Sequence, residues 1–238
     1  MHNRNSAPAF ILGLSLVAGL LGLGYLLGNA LTDFKAHERS VTVKGLSERE
    51  VGADIVIWPI QFTAAGNDLA GLYDAIETST DRIRSFLEAN GFEAGEITVA
   101  APTITDKSAQ QYGDNRPEFR YTAAQTVTVY SGKIATARAL MTRLSELGKQ
   151  GIVFSGANYQ AQTEYLVTGL NAVKPAMIEE ATRQAREVAE KFAADSNSTL
   201  GKIRRASQGQ FSITDRDQNN PHIKKVRVVS TVEYYLSD

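Results

Sequence analysis

Apolar residues are distributed very differently in the first thirty residues and in the rest of the chain. Residues 5–32 contain no charged side chain, and residues 9–27 are almost entirely apolar. At 1.5 Å per residue, about 20 such residues span the hydrocarbon core of a bilayer. The pattern therefore predicts four segments. They are an N-terminal tail over 1–8, a transmembrane helix over 9–28, a polar connector over 29–39 and an exported domain over 40–238.

A cleaved signal peptide is the alternative for the apolar segment, because Gly28-Asn29-Ala30 has the form of a small-x-small cleavage site. The segment is longer than the apolar core of about 7–15 residues in a signal peptide, which favours a retained anchor. Arg4 precedes the segment, and Lys35 and Arg39 follow it, so basic residues barely bias the orientation. A short tail before a large folded domain favours a single-pass protein of the inner membrane with the domain in the periplasm.

Small side chains recur four residues apart in the predicted transmembrane helix. This small-xxx-small spacing lets two helix backbones approach closely in a membrane, and it predicts packing against a second helix. A plain lipid-facing anchor is the alternative, because glycine is common in membrane helices. The residues of the pattern are Ser15, Ala18, Gly19, Gly22, Gly24 and Gly28.

Three helices alternate with pairs of strands in the exported part. Apolar residues recur with helical spacing over 68–90, 131–147 and 172–195. The runs with strand-like patterns are 41–46, 51–64, 96–105, 119–130, 151–154, 159–167, 202–211 and 224–236. The order ββα-ββα-ββα-ββ predicts an α+β fold of antiparallel sheets with helices on one face, in two subdomains that divide near 131–150. Pro59 predicts an edge strand or a bulge in the second run.

The last predicted strand, 224–236, is apolar on both faces. Val228 and Tyr234 lie on one face, and Val229 and Tyr235 lie on the other. One layer of helices covers only one face of a sheet, so a second cover is needed. The pattern predicts a homo-oligomer with contacts at Val229 and Tyr235.

Composition excludes several classes of function. Beyond residue 39 the chain carries 22 basic and 24 acidic side chains, and this near-balance argues against nucleic-acid binding. The absence of cysteine excludes disulfides, cysteine-ligated zinc, iron–sulfur clusters and a cysteine nucleophile. His2 and His37 flank the apolar segment, which leaves His222 as the one histidine of the exported domain. No cofactor is predicted.

The polar segment 214–222 contains the best candidates for chemistry. Residues 215–219, DRDQN, match the first half of a calcium loop, but Asn220 and Val226 stand where the loop needs glycine and glutamate. His222 follows Pro221 in this loop and is predicted to be solvated, and no G-x-S-x-G motif is present. The sequence therefore predicts no catalytic, cofactor-binding or metal-binding residue.

Basic residues occur in two groups in the last predicted strands. If the two strands pair as a hairpin, the groups are expected to cluster, either as a solvated face or as a contact for acidic partners or lipid headgroups. The groups are Lys202, Arg204 and Arg205, and Lys224, Lys225 and Arg227.

Three stretches of the exported part resemble the SIMPL-domain family. They are VTVKGLSEREVGADIVIWPIQF (41–62), EEATRQAREVAEKFAADSNSTLGKI (179–203) and VRVVSTVEYYL (226–236), and they include Gly45, Asp54, Ala185, Ala189, Leu200 and Gly201. The resemblance implies an α+β envelope protein, with ring-like or channel-like oligomers and links to stress in some members. The resemblance implies no catalytic residues for this chain.

The sequence thus favours a non-enzymatic, membrane-anchored envelope protein that forms an oligomeric scaffold, cage or channel-like assembly, with itself and the lipid bilayer as partners. The alternative is a periplasmic module that binds a small molecule or a peptide in a cleft between subdomains. A hydrolase ranks third, because a nucleophile and base pair is missing.

Overall fold

The computed structural model describes residues 7–36, 39–110, 118–155 and 162–237. Most of the predicted N-terminal tail and the start of the predicted strand 159–167 lie outside these ranges. The described part contains five α-helices. They are α1 (Ala7–Ala36), α2 (Leu69–Ala89), α3 (Ile134–Met141), α4 (Leu144–Gly148) and α5 (Leu170–Asp195).

Ten strands complete the described fold, and the predicted α+β class with antiparallel sheets is confirmed. The strands are β1 (Ser40–Gly52), β2 (Ile55–Gly66), β3 (Ile97–Val99), β4 (Thr103–Asp106), β5 (Tyr121–Ser131), β6 (Val153–Phe154), β7 (Glu164–Leu166), β8 (Thr199–Gln208), β9 (Ser212–Asp215) and β10 (Ile223–Ser237).

Four predicted elements differ in their bounds. The predicted strand 96–105 is two strands because Pro102, which lacks an N–H, lies at its interruption. The predicted strand 202–211 ends at Gln208, and β9 begins after a short break. The predicted helix 131–147 is two helices, α3 and α4, separated by two residues. The predicted connector 29–39 is helical as far as Ala36.

The strands form two sheets. In one, β10 lies between β1 and β8, and β9 also pairs with β10. In the other, the order is β3-β5-β2-β6, with β4 pairing with β5 and β7 pairing with β2. The longest pairing joins β2 to β5 in an unbroken antiparallel register from Val56 to Gly66.

Pro59 lies in a central strand, so the prediction of an edge strand or a bulge was wrong. The register of β2 with β5 runs through Pro59 without a shift. On the other side of β2, β7 pairs with residues 55–57 and β6 pairs with residues 62–63. Pro59 falls in the gap between these two short partners, where a missing N–H interrupts no ladder among the described residues.

The chain divides into two compact units. Unit 1 comprises residues 1–48, 174–212 and 227–238, and unit 2 comprises residues 49–173 and 213–226. The sequence placed a division near 131–150, whereas residues 131–150 lie inside unit 2. Each unit is assembled from separate stretches of chain, which a search for one linker does not reveal.

Unit 2 has a core of large apolar side chains. Helix α2 begins after Asp68, whose carboxylate accepts a hydrogen bond of 2.7 Å from the Gly71 N–H. The buried stripe of α2 contains Leu72, Ile76, Ile83 and Leu87. These residues belong to one apolar cluster with the inward-facing residues of β2 and β5.

Unit 1 has a core of small side chains. Ala185 and Ala189 of α5 are fully buried in a cluster with Val43, Val232 and Tyr234. Beside this cluster, Ser47 is buried and its hydroxyl donates a hydrogen bond of 2.9 Å to Glu180. The alanines allow α5 to lie very close to β1.

Candidate functional site

Helix α1 contains one candidate membrane span, Phe10–Gly28, whose side chains are all exposed. A Cβ added at Gly19, Gly22, Gly24 or Gly28 would meet no atom within 4 Å. The Ser15 hydroxyl donates a hydrogen bond of 3.0 Å to the Leu12 carbonyl, so it is satisfied within the helix. The space beside these glycines is therefore open in the described chain, and a second helix could approach α1 there.

The six small residues lie on two faces of α1. At about 100° of rotation per residue, Ser15, Ala18, Gly19 and Gly22 fall within one narrow stripe, whereas Gly24 and Gly28 fall on the opposite side. We call the first group the small-residue stripe. A shallow groove of this stripe is lined by Ser15 and Gly19 together with four leucines.

The sheet of unit 1 is buried on one face and open on the other. Val228, Val232 and Tyr234 are at most 3% exposed on the buried face. On the other face, Tyr235 is 37% exposed and Val229 is partly buried. Leu46 of β1 points away from the buried residues Val43, Gly45 and Ser47 and is 42% exposed. We call Leu46, Val229, Tyr235 and the polar residues between them the open face.

Strand β8 is exposed along nearly its whole length. Its pairing with β10 is interrupted twice, between Glu233 and Tyr234 and between Tyr234 and Leu236, where β8 contains an extra residue. Bulges and basic side chains are two devices that keep an edge strand from pairing indiscriminately. The exposed edge of β8 is therefore protected against pairing with another strand. The open face is the better candidate contact surface of unit 1.

Arg204 is held on the open face. Its guanidinium donates a hydrogen bond of 2.9 Å to Glu233 and lies 5.8 Å from the centre of the Tyr235 ring. Ser40 donates a hydrogen bond of 2.7 Å to the same carboxylate. The Ser40 hydrogen bond, opposed by burial and supported by Arg204, lowers the pKa of Glu233. The open face therefore carries paired charges beside its exposed apolar residues.

The two basic groups of the last strands do not form one cluster. Strand β8 pairs with residues 230–237 of β10, with Arg205 opposite Glu233. Arg227 lies six residues away along β10, roughly 20 Å at about 3.3 Å per residue. The predicted cluster is wrong because β8 pairs only with the C-terminal part of β10. The second basic group precedes that part of the strand.

Sequence reasoning missed a charged cluster in unit 2. The hydroxyl of Ser131, which is 3% exposed, donates a hydrogen bond of 2.6 Å to Glu96, and the Lys133 ammonium donates one of 2.8 Å to the same carboxylate. Burial opposes ionisation of Glu96, but the bonds from Lys133 and Ser131 outweigh it and lower its pKa to about 2. Glu96 in turn raises the pKa of Lys133. An ammonium in this state donates protons, so Lys133 does not serve as a base for Ser131.

His222 is half-buried, so the prediction that it is solvated was wrong. Its carbonyl accepts a hydrogen bond of 2.8 Å from the Ala53 N–H, and its ring meets Tyr165 edge-on with centroids 6.0 Å apart. The Arg138 guanidinium lies 3.1 Å from Nε2. Because arginine only donates, Nε2 accepts and the neutral ring carries its proton on Nδ1, a buried atom with no hydrogen-bond partner among the described residues.

The carboxylates of the calcium-like loop are used within the loop. Asp217 accepts hydrogen bonds of 2.9 Å from the backbone N–H groups of Asn219 and Asn220, and it pairs with Arg216. Asp215 pairs with Lys224. Within the described residues no group of three or more His, Cys, Asp or Glu side chains is arranged to hold a metal ion.

The residues behind the family resemblance have structural roles. A Cβ on Gly45 would lie 2.5 Å from the Ala185 nitrogen and still closer to the Ala181 carbonyl oxygen, so only glycine permits this contact. A Cβ on Gly201 would lie 3.1 Å from the Tyr235 carbonyl oxygen. The Asp54 carboxylate accepts hydrogen bonds from the N–H groups of Thr168 and Gly169 immediately before α5.

The comparisons with known proteins agree with these landmarks. The family model SIMPL, described as a protein of unknown function (DUF541), matches residues 41–233. No match was found among curated proteins. The matched region includes all of unit 2 and much of unit 1, and it leaves out helix α1.

Proposed function

The chain belongs to the SIMPL family, and on this premise we propose that it is a non-enzymatic scaffold that is anchored in the inner membrane and assembles with copies of itself. Helix α1 is the anchor, and the matched domain lies in the periplasm. The open face of unit 1 is the main contact between copies. The small-residue stripe of α1 supports a second contact in the bilayer.

The observation that carries the proposal is the uneven burial of the sheet in unit 1. Helix α5 covers one face, whereas Leu46 and Tyr235 on the other remain 42% and 37% exposed. A sheet face that is left uncovered and exposes apolar side chains along its length is a candidate contact surface. Lys44 and Glu48 on β1 add both signs of charge. A face with both signs is compatible with a twofold contact, in which the same patch meets itself.

The anchor strengthens such a contact without new interactions in the domain. Tethering two copies to one membrane raises their effective concentration. Close approach of two α1 helices through the small-residue stripe adds van der Waals contact, which drives helix association in lipid. The link of some family members to ring-like or channel-like oligomers is consistent with this arrangement.

The assembly is tested by measuring the mass of the detergent-solubilised full-length chain by light scattering. We expect a mass of several chains for the unmodified protein and a smaller one for Tyr235→Glu, because a charge on the open face disfavours its burial. Tyr73→Glu is the matched control, since Tyr73 is 49% exposed on α2 in unit 2. A monomeric full-length protein overturns the proposal.

The contribution of the anchor is tested in the same assay with two glycine variants. Gly22→Leu fills the small-residue stripe, whereas Gly24→Leu adds the same side chain on the opposite side of α1. We expect only Gly22→Leu to weaken the assembly. Equal effects of the two variants would remove the stripe from the proposal and leave the open face.

The topology is tested by adding protease to spheroplasts and by sequencing the N-terminus of the mature protein. We expect the domain to be digested and the mature chain to retain Arg4. A protected domain contradicts the periplasmic placement, and a mature chain that begins near Leu31 contradicts the anchor.

A further inference from the structure

A cavity of about 320 Å³ lies wholly within unit 2, beside strand β7. It is lined on one side by residues 162–166 and on the other by Asp215, Pro221 and Lys224. Its volume is at the lower end of the range of small-ligand sites, about 300–1,000 Å³. A ligand of this size is a small molecule or a few residues of peptide.

Strand β7 offers backbone groups to this region. Its three residues pair with residues 55–57 of β2, and no other described strand pairs with β7. In an antiparallel pair, successive residues direct their N–H and C=O groups alternately toward and away from the partner. At least one residue of β7 therefore directs both groups away from β2, where an added extended chain can pair with them.

The opposite side of the cavity carries an ion pair, which offers ammonium N–H donors rather than a net positive charge. The Lys224 side chain is 12% exposed, and its ammonium is paired with Asp215, which is half exposed. An ammonium has three N–H donors, and Asp215 is the one hydrogen-bond partner that the described residues give it. A carboxylate entering the cavity can accept a remaining donor while the ammonium stays paired with Asp215.

The cavity also has an apolar part. Leu166 of β7 is 37% exposed and Pro221 is partly buried, and both line the cavity. An extended chain places alternate side chains on one side, so a single small apolar side chain can lie here while the backbone pairs with β7.

We propose that this cavity binds the carboxy-terminal end of a short extended peptide. The peptide backbone pairs with the side of β7 that faces away from β2, its terminal carboxylate contacts the Lys224 ammonium, and an apolar side chain lies against Leu166 and Pro221. A peptide of about three residues matches the length of β7. The proposal does not depend on the assembly proposed above.

Two larger cavities of unit 2 lack this combination. Both lie along α2, with volumes of about 510 Å³ and about 420 Å³. The backbone N–H and C=O groups of a helix interior are already paired with one another, so these cavities offer a ligand little besides side chains. The cavity beside β7 has both an open strand edge and a nearly buried ammonium.

The probe is trialanine with free termini, titrated calorimetrically into the full-length protein in detergent micelles. Trialanine amide, which lacks the terminal carboxylate, is the comparison ligand. We expect the amide to bind about tenfold or more weakly, because it loses a charge-assisted hydrogen bond. Saturating trialanine should also slow hydrogen exchange of a backbone amide within Glu164–Leu166, since a paired edge strand protects its N–H groups.

The lysine is tested with two neighbouring variants. Lys224→Gln should weaken binding of trialanine about tenfold and bring it to the affinity of the amide. Lys225→Gln, on the next residue of β10 and outside the cavity lining, should change the affinity less than about twofold. Unchanged hydrogen exchange of unit 2 in the absence of peptide shows that each variant is folded.

Four results would overturn the proposal. Three of them are no heat of binding at millimolar trialanine, equal affinities for the acid and the amide, and equal effects of the Lys224 and Lys225 variants. Binding of the acid without slower exchange in β7 would also overturn it, because the backbone pairing would then be absent.

Discussion

Unit 2 packs α2 against its sheet with large side chains, whereas unit 1 packs α5 against its sheet mainly with alanines and a glycine. Trp58, Phe62, Ile83 and Leu87 are at most 3% exposed in unit 2. In unit 1 the corresponding positions on the helix are Ala181, Ala185 and Ala189, all fully buried. The two helices thus bury their inner faces completely, but they bury very different amounts of apolar surface.

This difference separates two ways of stabilising a helix on a sheet. Burial of large side chains stabilises in proportion to apolar area, at about 25 cal/mol per Å². Alanines bury less area but allow backbones to approach closely, so that the stability depends on the absence of any added atom at the contact. Unit 1 also leaves its second sheet face open, which fits a unit that gains stability from a partner.

The largest effect is expected from removing a large side chain in unit 2. Phe62 is fully buried, and Phe62→Ala should lower the free energy of unfolding of unit 2 by about 3–5 kcal/mol, because a cavity remains. The measurement is hydrogen exchange of β2 and β5. Tyr73→Ala, at an exposed position of α2, should change the free energy of unfolding by less than about 0.5 kcal/mol. A loss below about 1 kcal/mol for Phe62→Ala would remove the contrast between the two cores.

Unit 1 should be destabilised by the opposite change, the addition of one carbon atom. In Gly45→Ala the new Cβ would overlap the backbone of α5 at Ala181 and Ala185. Backbone must shift to relieve this overlap, and the expected cost is about 3 kcal/mol. Hydrogen exchange should become faster in α5 and β1 within unit 1. Gly52→Ala, in the same strand with no atom within 4 Å of its Cβ, is the matched control, and equal stability of the two variants would contradict the close packing.

The elements that the sequence predicted well are those with a strong local pattern. The helix predicted over 68–90 is α2, because its apolar stripe and the Asp68 cap are both local signals. The alternation over 224–236 likewise predicted β10, in which Tyr234 is buried and Tyr235 is exposed. The long apolar helix α1, a candidate membrane span, was predicted by its length and lack of charge.

The features that the sequence did not reveal depend on residues far apart in the chain. The charged cluster joins Glu96 to Ser131 and Lys133, which are more than thirty positions away. His222 is half-buried because Tyr165 and Arg138, from other parts of unit 2, lie against its ring. Gly45 could be noticed in the sequence only because it lies in a stretch that resembles the SIMPL family. The reason that a glycine is needed there, the close approach of α5, is visible only in the structure.

A smaller loss of stability is expected from changing Asp54, whose carboxylate binds the backbone N–H groups immediately before α5. The Asp54 carboxylate accepts hydrogen bonds of 2.8 Å from the Thr168 N–H and 2.9 Å from the Gly169 N–H. Asp54→Asn keeps the shape but leaves one amide oxygen to accept these bonds, so the free energy of unfolding should fall by about 1–2 kcal/mol. Asp74→Asn, exposed on α2, is the control. Urea unfolding at neutral pH is the measurement, and indistinguishable variants would contradict this role.

The contribution of Asp54 should also depend on pH. Burial opposes its ionisation, but the hydrogen bonds from Thr168 and Gly169 outweigh burial and lower its pKa. A carboxyl group with a lowered pKa in the folded state stabilises the fold fully above its ordinary pKa of about 4, and this contribution is lost as the pH falls below that value. The difference in stability between the unmodified protein and Asp54→Asn should therefore shrink at pH 3.

The smallest effect on stability is expected from the protonation of His222, the one histidine of the matched region. The effect is expected in unit 2. Burial lowers the pKa of His222, and the charges of Arg138 and Arg216 lower it further, while Asp217 opposes them. Because the unfolded chain binds the proton more readily, the neutral ring stabilises the fold above pH of about 6.5, and this contribution is lost as the pH falls through that value.

Replacing the ring by an amide separates this titration from packing. His222→Gln can accept from Arg138 but does not titrate, so its stability should vary less than that of the unmodified protein between pH 7.5 and pH 5. The measurement is urea unfolding of the full-length chain at several pH values, with hydrogen exchange to assign the change to unit 2. Arg138→Gln should act in the same direction, because it removes the cation that most disfavours the protonated ring. If the unmodified protein and His222→Gln have parallel pH profiles, protonation of His222 is not coupled to folding.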